Sequence, residues 1–152
     1  MGRFFRTPIA AILVLVPLCA LPSQAALGEP EASVQFDRER LQASDRVIAH
    51  SSYSVHQMAT PAGTTIRQFV SPSGNVFAVA WEGTSPDLHQ LLGSRFDEYL
   101  AAVQAMHSRR GRGVHIDTGD MVVDTGGHMG FVQGRAFLKS AMPQEVKADE
   151  IR

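Results

Sequence analysis

The tripeptide Asp-Thr-Gly occurs twice, at residues 117–119 and 124–126, and is the first pattern in this sequence that points to chemistry. Aspartic proteases use such loops to bring two carboxylates close enough to share one proton. Those loops face each other from two lobes or two subunits, and two neighbouring copies in one chain do not fold readily into that arrangement. We therefore predict that both copies are turns between short strands, with Asp124 a solvated residue beside a Gly126-Gly127 hairpin turn. A homodimeric protease that uses Asp124 alone is the remaining alternative.

Histidines offer a second kind of chemistry, metal binding. His50 and His56 lie on one predicted strand, and at about 3.3 Å per residue they stand roughly 20 Å apart, too far to share an ion. His115 and His128 can meet across neighbouring strands, where Asp117 would be a third ligand. The alternative is that both are exposed histidines at strand edges, and we favour it. The sequence therefore predicts no metal and no cofactor.

Basic residues cluster at 107–113, in the sequence HSRRGRG. Cations at the C-terminus of a helix interact favourably with its dipole, which accounts for the cluster without a ligand. Binding to an anionic surface or glycan is the alternative. The sequence lacks a GxSxG elbow, a Walker loop, an HExxH motif and a Gly-rich dinucleotide fingerprint. It therefore singles out no catalytic residue.

The first 25 residues have the pattern of a secretory signal peptide. Arg3 and Arg6 precede an apolar run at residues 9–21, and small residues at the end of the segment fit cleavage after Ala25. The apolar run is shorter than the roughly 20 residues that a bilayer span requires. We therefore predict export to the periplasm or beyond.

Composition sets limits on the mature chain. Without the signal it carries 12 basic and 15 acidic residues, a formal charge of −3, so nucleic acid is not favoured as a partner. The single cysteine, Cys19, leaves with the signal, and the mature chain therefore forms neither disulfides nor thiolate metal sites. Its length suits one domain with one core, and none of its apolar runs is long enough to span a membrane.

The centre of the chain predicts a three-stranded meander. The sequences TPAG, from residue 60, and SPSG, from residue 71, each put proline second and glycine fourth, as hairpin loops do. Four-residue loops would pair Ala59 with Thr64 and Val70 with Asn75. Because strand side chains alternate, this register predicts an apolar core face (Tyr53, Val55, Ile66, Val70, Phe77, Val79 and Trp81) and an opposite face of polar or small residues (His50, Ser52, Ser54, His56, Thr65, Arg67, Ala78 and Ala80).

The helical spacing of apolar residues predicts two helices. A short one covers residues 31–42. The main one follows the meander, with Thr84 or Ser85 as its N-cap, and runs to about Arg109. We expect the side chain of Trp81, together with Phe77 and Val79, to point toward three residues of the main helix: Leu92, Phe96 and Tyr99.

The last third of the chain returns to strands, at residues 114–116, 121–125 and 129–138, with Gly126-Gly127 as a two-residue turn. These elements predict the α+β class, with an antiparallel sheet (the meander plus a C-terminal hairpin) packed on one main α-helix. The predicted division is a signal peptide at 1–25, a polar lead-in with a short helix at 26–45, a single α+β domain at 46–140, and a polar tail at 141–152 that we expect to fray.

Several segments, taken in order, resemble one family. They are a signal ending in AALG, then FVSPSGNVFAVAWEG, PDLHQLLGSRFDEYLAA and GGHMGFVQGRAF. The family comprises small secreted proteobacterial proteins and is catalogued as domain of unknown function 2844. The resemblance covers nearly the whole mature chain. It implies an exported bacterial protein, and it implies no activity and no catalytic residues.

These observations favour a non-catalytic exported protein that binds an unidentified protein or envelope component. The alternative is a small periplasmic hydrolase whose site the sequence does not reveal. A convergent cluster of polar groups with shifted pKa values in a pocket would favour the hydrolase. A shallow surface with an exposed apolar patch would favour the binding protein.

Overall fold

The computed structural model describes residues 27–84, 86–106 and 113–152. Within them, seven strands form one antiparallel sheet in the order β1-β2-β3-β4-β7-β6-β5, so the α+β class is confirmed. The predicted signal peptide and the basic residues 107–112 lie outside the described residues. The elements are α1 (Ala32–Leu41), β1 (Ser44–Ala49), β2 (Ser54–Ala59), β3 (Thr65–Val70), β4 (Val76–Gly83), α2 (Leu88–Leu92), α3 (Phe96–Ala105), β5 (Val114–Asp117), β6 (Met121–His128) and β7 (Phe131–Leu138).

The two meander turns form at the predicted proline–glycine sequences, but their register differs by one residue. In the first turn the N–H of Gly63 donates to the carbonyl of Thr60 at 3.0 Å, and Gly63 has a φ of 81°. A glycine in this conformation adds one residue to the loop, so Ala59 pairs with Thr65. The predicted pairing of Ala59 with Thr64 is therefore wrong.

The second hairpin contains a further irregularity, which divides the predicted core face. Val70 pairs with Val76, not Asn75, while Phe69 pairs with Ala78. Phe77 is thus the extra residue of a β-bulge. It packs with Val55 and Phe69, on the opposite side of the sheet from Val79 and Trp81. The expectation that Phe77, Val79 and Trp81 share a face is wrong for Phe77. The predicted core face is also wrong for Tyr53 and Val55, which pack on the same side as Phe77. Ser54 and His56, predicted on the polar face, lie on the side of Val79, because they pair with Val70 and Gln68.

One side of the sheet, which we call the helix face, is covered by α1, α2 and α3. Trp81 is buried there with Leu92, and Phe96 and Tyr99 pack against them, as predicted. The predicted main helix is interrupted at Gly93, whose φ is 50°, and a short 3₁₀ turn at Gly93–Arg95 joins α2 to α3. The side chain of Asp87 caps α2 by accepting a hydrogen bond from the N–H of Gln90, so the predicted cap at Thr84 or Ser85 is replaced.

A buried polar cluster fastens the helices to the helix face. Asp37 of α1, which is 1% exposed, accepts hydrogen bonds of 2.9 Å from the side-chain amides of Gln68 in β3 and Gln90 in α2. These charge-assisted bonds satisfy a carboxylate that would be costly to bury alone. They tie the first helix to the second and to the centre of the sheet.

The other side of the sheet, the second face, is covered in part by the C-terminal segment, residues 141–152. Val146 and Ile151 are 5% and 0% exposed, and they pack in a cluster with Phe77 and Phe137. The guanidinium of Arg135 also donates to the carbonyl of Ala148. The expectation of a frayed polar tail is therefore wrong, because this segment completes the second core.

Candidate functional site

A line of charged and polar side chains crosses the second face from one sheet edge to the other. Directly paired residues of an antiparallel sheet point to the same face, so the strand register alone defines this line. We call it the charged row: Arg46, Gln57, Arg67, Ala80, Arg135, Asp124 and His115. Three of the seven residues are arginines and one is an aspartate, and the small Ala80 lies at the centre with an arginine on each side.

Asp124 is held between two neighbours in the charged row. The Nδ1 atom of His115 lies 2.5 Å from Oδ1 of Asp124, and Nε of Arg135 donates to Oδ2 at 2.9 Å. Partial burial would raise the pKa of Asp124, but the hydrogen bonds from His115 and Arg135 outweigh burial and hold the pKa below its ordinary value. Asp124 is therefore an ionised, partnered residue.

The prediction that Asp124 lies beside a turn is wrong. Gly126 and Gly127 belong to β6, and the hairpin turns at Met129 and Gly130, because His128 pairs with Phe131. Gly127 has a φ of 140°, and a Cβ there would lie 2.3 Å from the carbonyl oxygen of Phe131. This glycine serves a close backbone approach inside the hairpin and not the reversal itself.

The first Asp-Thr-Gly copy behaves as predicted. Asp117 ends β5, and the chain turns at Thr118 and Gly119 before β6 begins. Both carboxylate oxygens of Asp117 accept hydrogen bonds of 2.8 Å from Nζ of Lys139. That contact, together with the N–H of Gly119, holds the pKa of Asp117 below its ordinary value.

His115 and His128 do not meet, and both are exposed, as the favoured interpretation expected. His115 pairs with Asp124, whereas His128 pairs with Phe131 at the other end of β6, and its ring stacks on that of Phe131. His56 is buried and contacts carboxylates of Glu31 and Asp45. Among the described residues, no group of three or more histidine, cysteine, aspartate and glutamate side chains is arranged to hold a metal ion.

A cavity of about 400 Å³ opens on the second face, beside the centre of the charged row. This volume lies within the range of roughly 300–1,000 Å³ that is usual for small-molecule sites. We call it the site cavity, and its charged and apolar walls are formed by Arg67, Glu82, Asp124, Arg135, Ile151 and Arg152. The C-terminal segment covers the apolar half of the second face and leaves this polar half accessible.

Ion pairs fix the positions of the guanidinium groups around the site cavity. Nη2 of Arg67 contacts Oε1 of Glu82 at 2.8 Å, and Arg135 is held by Asp124. The side chains of Arg67 and Arg135 are 24% and 31% exposed, so both remain accessible to a ligand. Arg152, in the C-terminal segment, is the third arginine in the wall.

Trp81 lines the site cavity and also a smaller cavity of about 230 Å³ on the helix face. Its indole nitrogen is buried and has no hydrogen-bond partner within the described ranges. The indole packs closely on Gly134, where a Cβ would come within 2.5 Å of Cζ2 of Trp81. Gly134 is therefore needed for the close packing of the indole on β7.

Sequence reasoning placed Arg67 and Ala80 on the polar face, but it identified neither the site cavity nor the charged row. The local signal for Arg135 was the alternation of β7, in which Gln133, Arg135 and Phe137 point away from the helix face. Nothing local connects Arg135 to Arg67, because the two residues meet only through β4. Ile151 and Arg152 line the cavity, but no sequence pattern in residues 141–152, where we predicted a polar tail, indicated this.

Comparison with known proteins identifies a family without assigning an activity. Within the described ranges, no helix is both long enough and apolar enough to cross a membrane. No curated protein and no solved structure matches the chain significantly. The model of one family, described as a protein of unknown function (DUF2844), matches residues 23–151. This match spans most of the sequence, and the chain therefore belongs to the DUF2844 family.

Proposed function

We propose that this protein is an exported bacterial binding protein that holds a ligand, without transforming it, in the site cavity. The observation that carries the proposal is the placement of that cavity: a concave space of about 400 Å³ beside fixed, accessible polar groups on a rigid sheet. Sites on strands hold their side chains more precisely than sites on loops. The second face supports binding because its polar half lies open beside a packed apolar half.

Export is part of this proposal. It is supported by the basic start, the apolar run and the small residues before residue 26. We expect the protein recovered from the periplasm or the medium to begin at Ala26, within one or two residues, on N-terminal sequencing. Recovery of an intact form from the membrane, still beginning at Met1, would contradict export.

The binding function is tested on protein isolated under native conditions from the bacterium that makes it. We expect native mass spectrometry to show a bound mass that disappears in the variant Gly126→Leu. Gly126 lines the cavity, and a Cβ there would meet nothing within 4 Å, so we expect leucine to fill part of the cavity while the strand is kept. The matched control Val47→Leu, on the exposed edge strand, should retain the mass. A wild-type protein without a bound mass, or a Gly126→Leu variant that keeps it, overturns the proposal.

Hydrolysis is the second candidate, and the contact between His115 and Asp124 is the observation that favours it. A carboxylate on Nδ1 orients a histidine so that Nε2 can accept a proton from a nucleophile. His115 is 68% exposed, however, and Arg135 also engages the carboxylate. We therefore expect no turnover of aryl ester, phosphate ester or peptide substrates. Turnover that is abolished by His115→Gln in a folded protein would establish the hydrolase instead.

A further inference from the structure

We infer that the ligand of the site cavity is a small organic anion whose carboxylate or phosphate group sits between Arg67 and Arg135. The inference rests on the proposed binding function for the existence of a ligand, and it adds the ligand's chemistry. It is carried by the charges, the spacing and the apolar wall of the cavity.

The charged row brings two arginines to either side of a gap. Arg67 and Arg135 both pair with Ala80, from the neighbouring strands β3 and β7. Strands are about 4.8 Å apart, so the two backbones are separated by roughly 10 Å. An alanine side chain fills little of that width. Arg67 and Arg135 both line the site cavity, so cationic groups border the cavity from both sides of β4.

Each guanidinium is fixed by one carboxylate and keeps donors for a second partner. A guanidinium has five N–H donors in a planar fork. The contact with Glu82 engages Nη2 of Arg67, and the bonds of Arg135 to Asp124 and to the carbonyl of Ala148 engage Nε and Nη1. Planar oxyanions accept paired hydrogen bonds from such forks. Arginines held in place by carboxylates are therefore preorganised for an anionic oxygen group.

Cationic donors are concentrated at the site cavity. Arg67 and Arg135 bring two guanidinium groups to its wall, beside the carboxylates of Glu82 and Asp124. The sequence as a whole has a formal charge of −1, so this concentration of guanidinium groups is local. The lowered pKa of Asp124 keeps its carboxylate ionised, and the ligand anion is therefore recognised by the arginines and not by a protonated acid.

The size and the apolar part of the wall indicate an organic molecule. A space of about 400 Å³ is far larger than a phosphate ion requires. Trp81, Gly126 and Gly134 also line the cavity, so part of its wall beside the charged groups is uncharged. A molecule with one anionic group and an apolar body matches both parts. A carboxylate and a phosphate share this chemistry, and the experiment separates them.

Isothermal titration calorimetry on the mature protein tests the inference with phenyl phosphate, benzoate and the neutral benzyl alcohol. We expect at least one anion to bind and benzyl alcohol not to bind; the tighter anion identifies the group. Arg67→Gln should weaken anion binding about tenfold or more, as expected for loss of a charge-assisted hydrogen bond. Added salt should also weaken it. The control Arg40→Gln, at an exposed position of α1 outside the charged row, should change it less than about twofold.

Folding of each variant is checked by its thermal transition, and Arg67→Lys, which keeps the charge but loses the fork, should be intermediate. Binding of neither anion, equal binding of benzyl alcohol, or unchanged affinity in Arg67→Gln overturns the inference. A neutral natural ligand that Gly126→Leu expels would also overturn it, and would leave the binding function standing. A protein that carries no bound mass at all would instead overturn the binding function itself.

Discussion

The helix face and the second face are two sides of the same seven strands, and they are closed in different ways. Three helices cover the helix face, whereas the second face has only the C-terminal segment over its apolar half. Trp81 is 2% exposed on the first; Arg67 and Arg135 remain accessible on the second. The contrast indicates that the helix face supplies most of the stability, and that the open half of the second face is available for ligand binding.

The largest loss of stability should come from truncating a buried side chain on the helix face. Trp81→Ala removes a fully buried aromatic side chain, and we expect the free energy of unfolding to fall by about 3–5 kcal/mol, measured by urea denaturation. Val47→Ala, at a position that is 56% exposed, is the control and should change it by less than about 0.5 kcal/mol. A loss below about 1 kcal/mol in Trp81→Ala would remove the contrast between the faces.

Truncating a buried side chain in the apolar half of the second face should reduce the stability of the protein by a smaller amount. Ile151→Ala should destabilise the protein by about 2–4 kcal/mol, because a buried isoleucine leaves a cavity when truncated. Met129→Ala, at a fully exposed residue, should have almost no effect in the same denaturation experiment. Equal stabilities of Ile151→Ala and wild type would mean that the C-terminal segment contributes nothing to the second face.

Two glycines on neighbouring strands, Gly126 in β6 and Gly134 in β7, sharpen the comparison further. Gly134 faces Trp81, and an added Cβ would lie 2.5 Å from the indole, so Gly134→Ala should cost about 1–3 kcal/mol. Gly126 faces open space on the second face, and Gly126→Ala should be neutral or slightly stabilising. Thermal unfolding of both variants gives the difference directly. A larger loss of stability in Gly126→Ala than in Gly134→Ala would contradict the close packing of the indole of Trp81 on Gly134.

The smallest effect concerns the charged row and its dependence on pH. The pKa of Asp124 is lowered in the folded protein, so its stabilising contribution is present above the unfolded pKa of about 3.9 and is lost as the pH falls through the folded pKa. The side chain is partly exposed, and we expect about 1 kcal/mol or less. Asp124→Asn should therefore be less stable than wild type at pH 7, and the gap should close toward about pH 2. A gap that persists at acid pH would assign the loss to packing.

Local chemistry allowed part of this fold to be predicted from the sequence. The Pro-Gly turns, the short first helix and the burial of Trp81 and Leu92 in one cluster follow from residue types close in the chain. Registers did not follow, because a glycine at positive φ and a bulge at Phe77 each shift the pairing by one residue. A one-residue slip reverses the faces. The predicted face is therefore wrong for Tyr53 and Val55 because of the first turn, and for Phe77 because of the bulge.

The candidate site was harder to predict for a related reason. The charged row takes one residue from each of seven strands, and no segment of sequence contains two of its arginines close together. Gly126-Gly127 was read as a turn because paired glycines usually mark one, although here Gly127 permits close approach of the β7 backbone. In the C-terminal segment, only Val146 and Ile151 are deeply buried. Two residues are too few to give the repeated apolar spacing from which a strand or helix is predicted.

The strand order also has a consequence for the folding kinetics. Every pair of neighbouring strands is consecutive in the chain except β4 and β7, where Ala78 pairs with Phe137. Closing that long loop costs entropy before its contacts form, and non-local pairings slow folding. We expect the two local meanders, β1–β4 and β5–β7, to form early and the pairing of β4 with β7 to form late. Arg67 belongs to the first meander and Arg135 to the second, so the site cavity exists only after this last pairing. Any ligand held there therefore stabilises only the completed sheet.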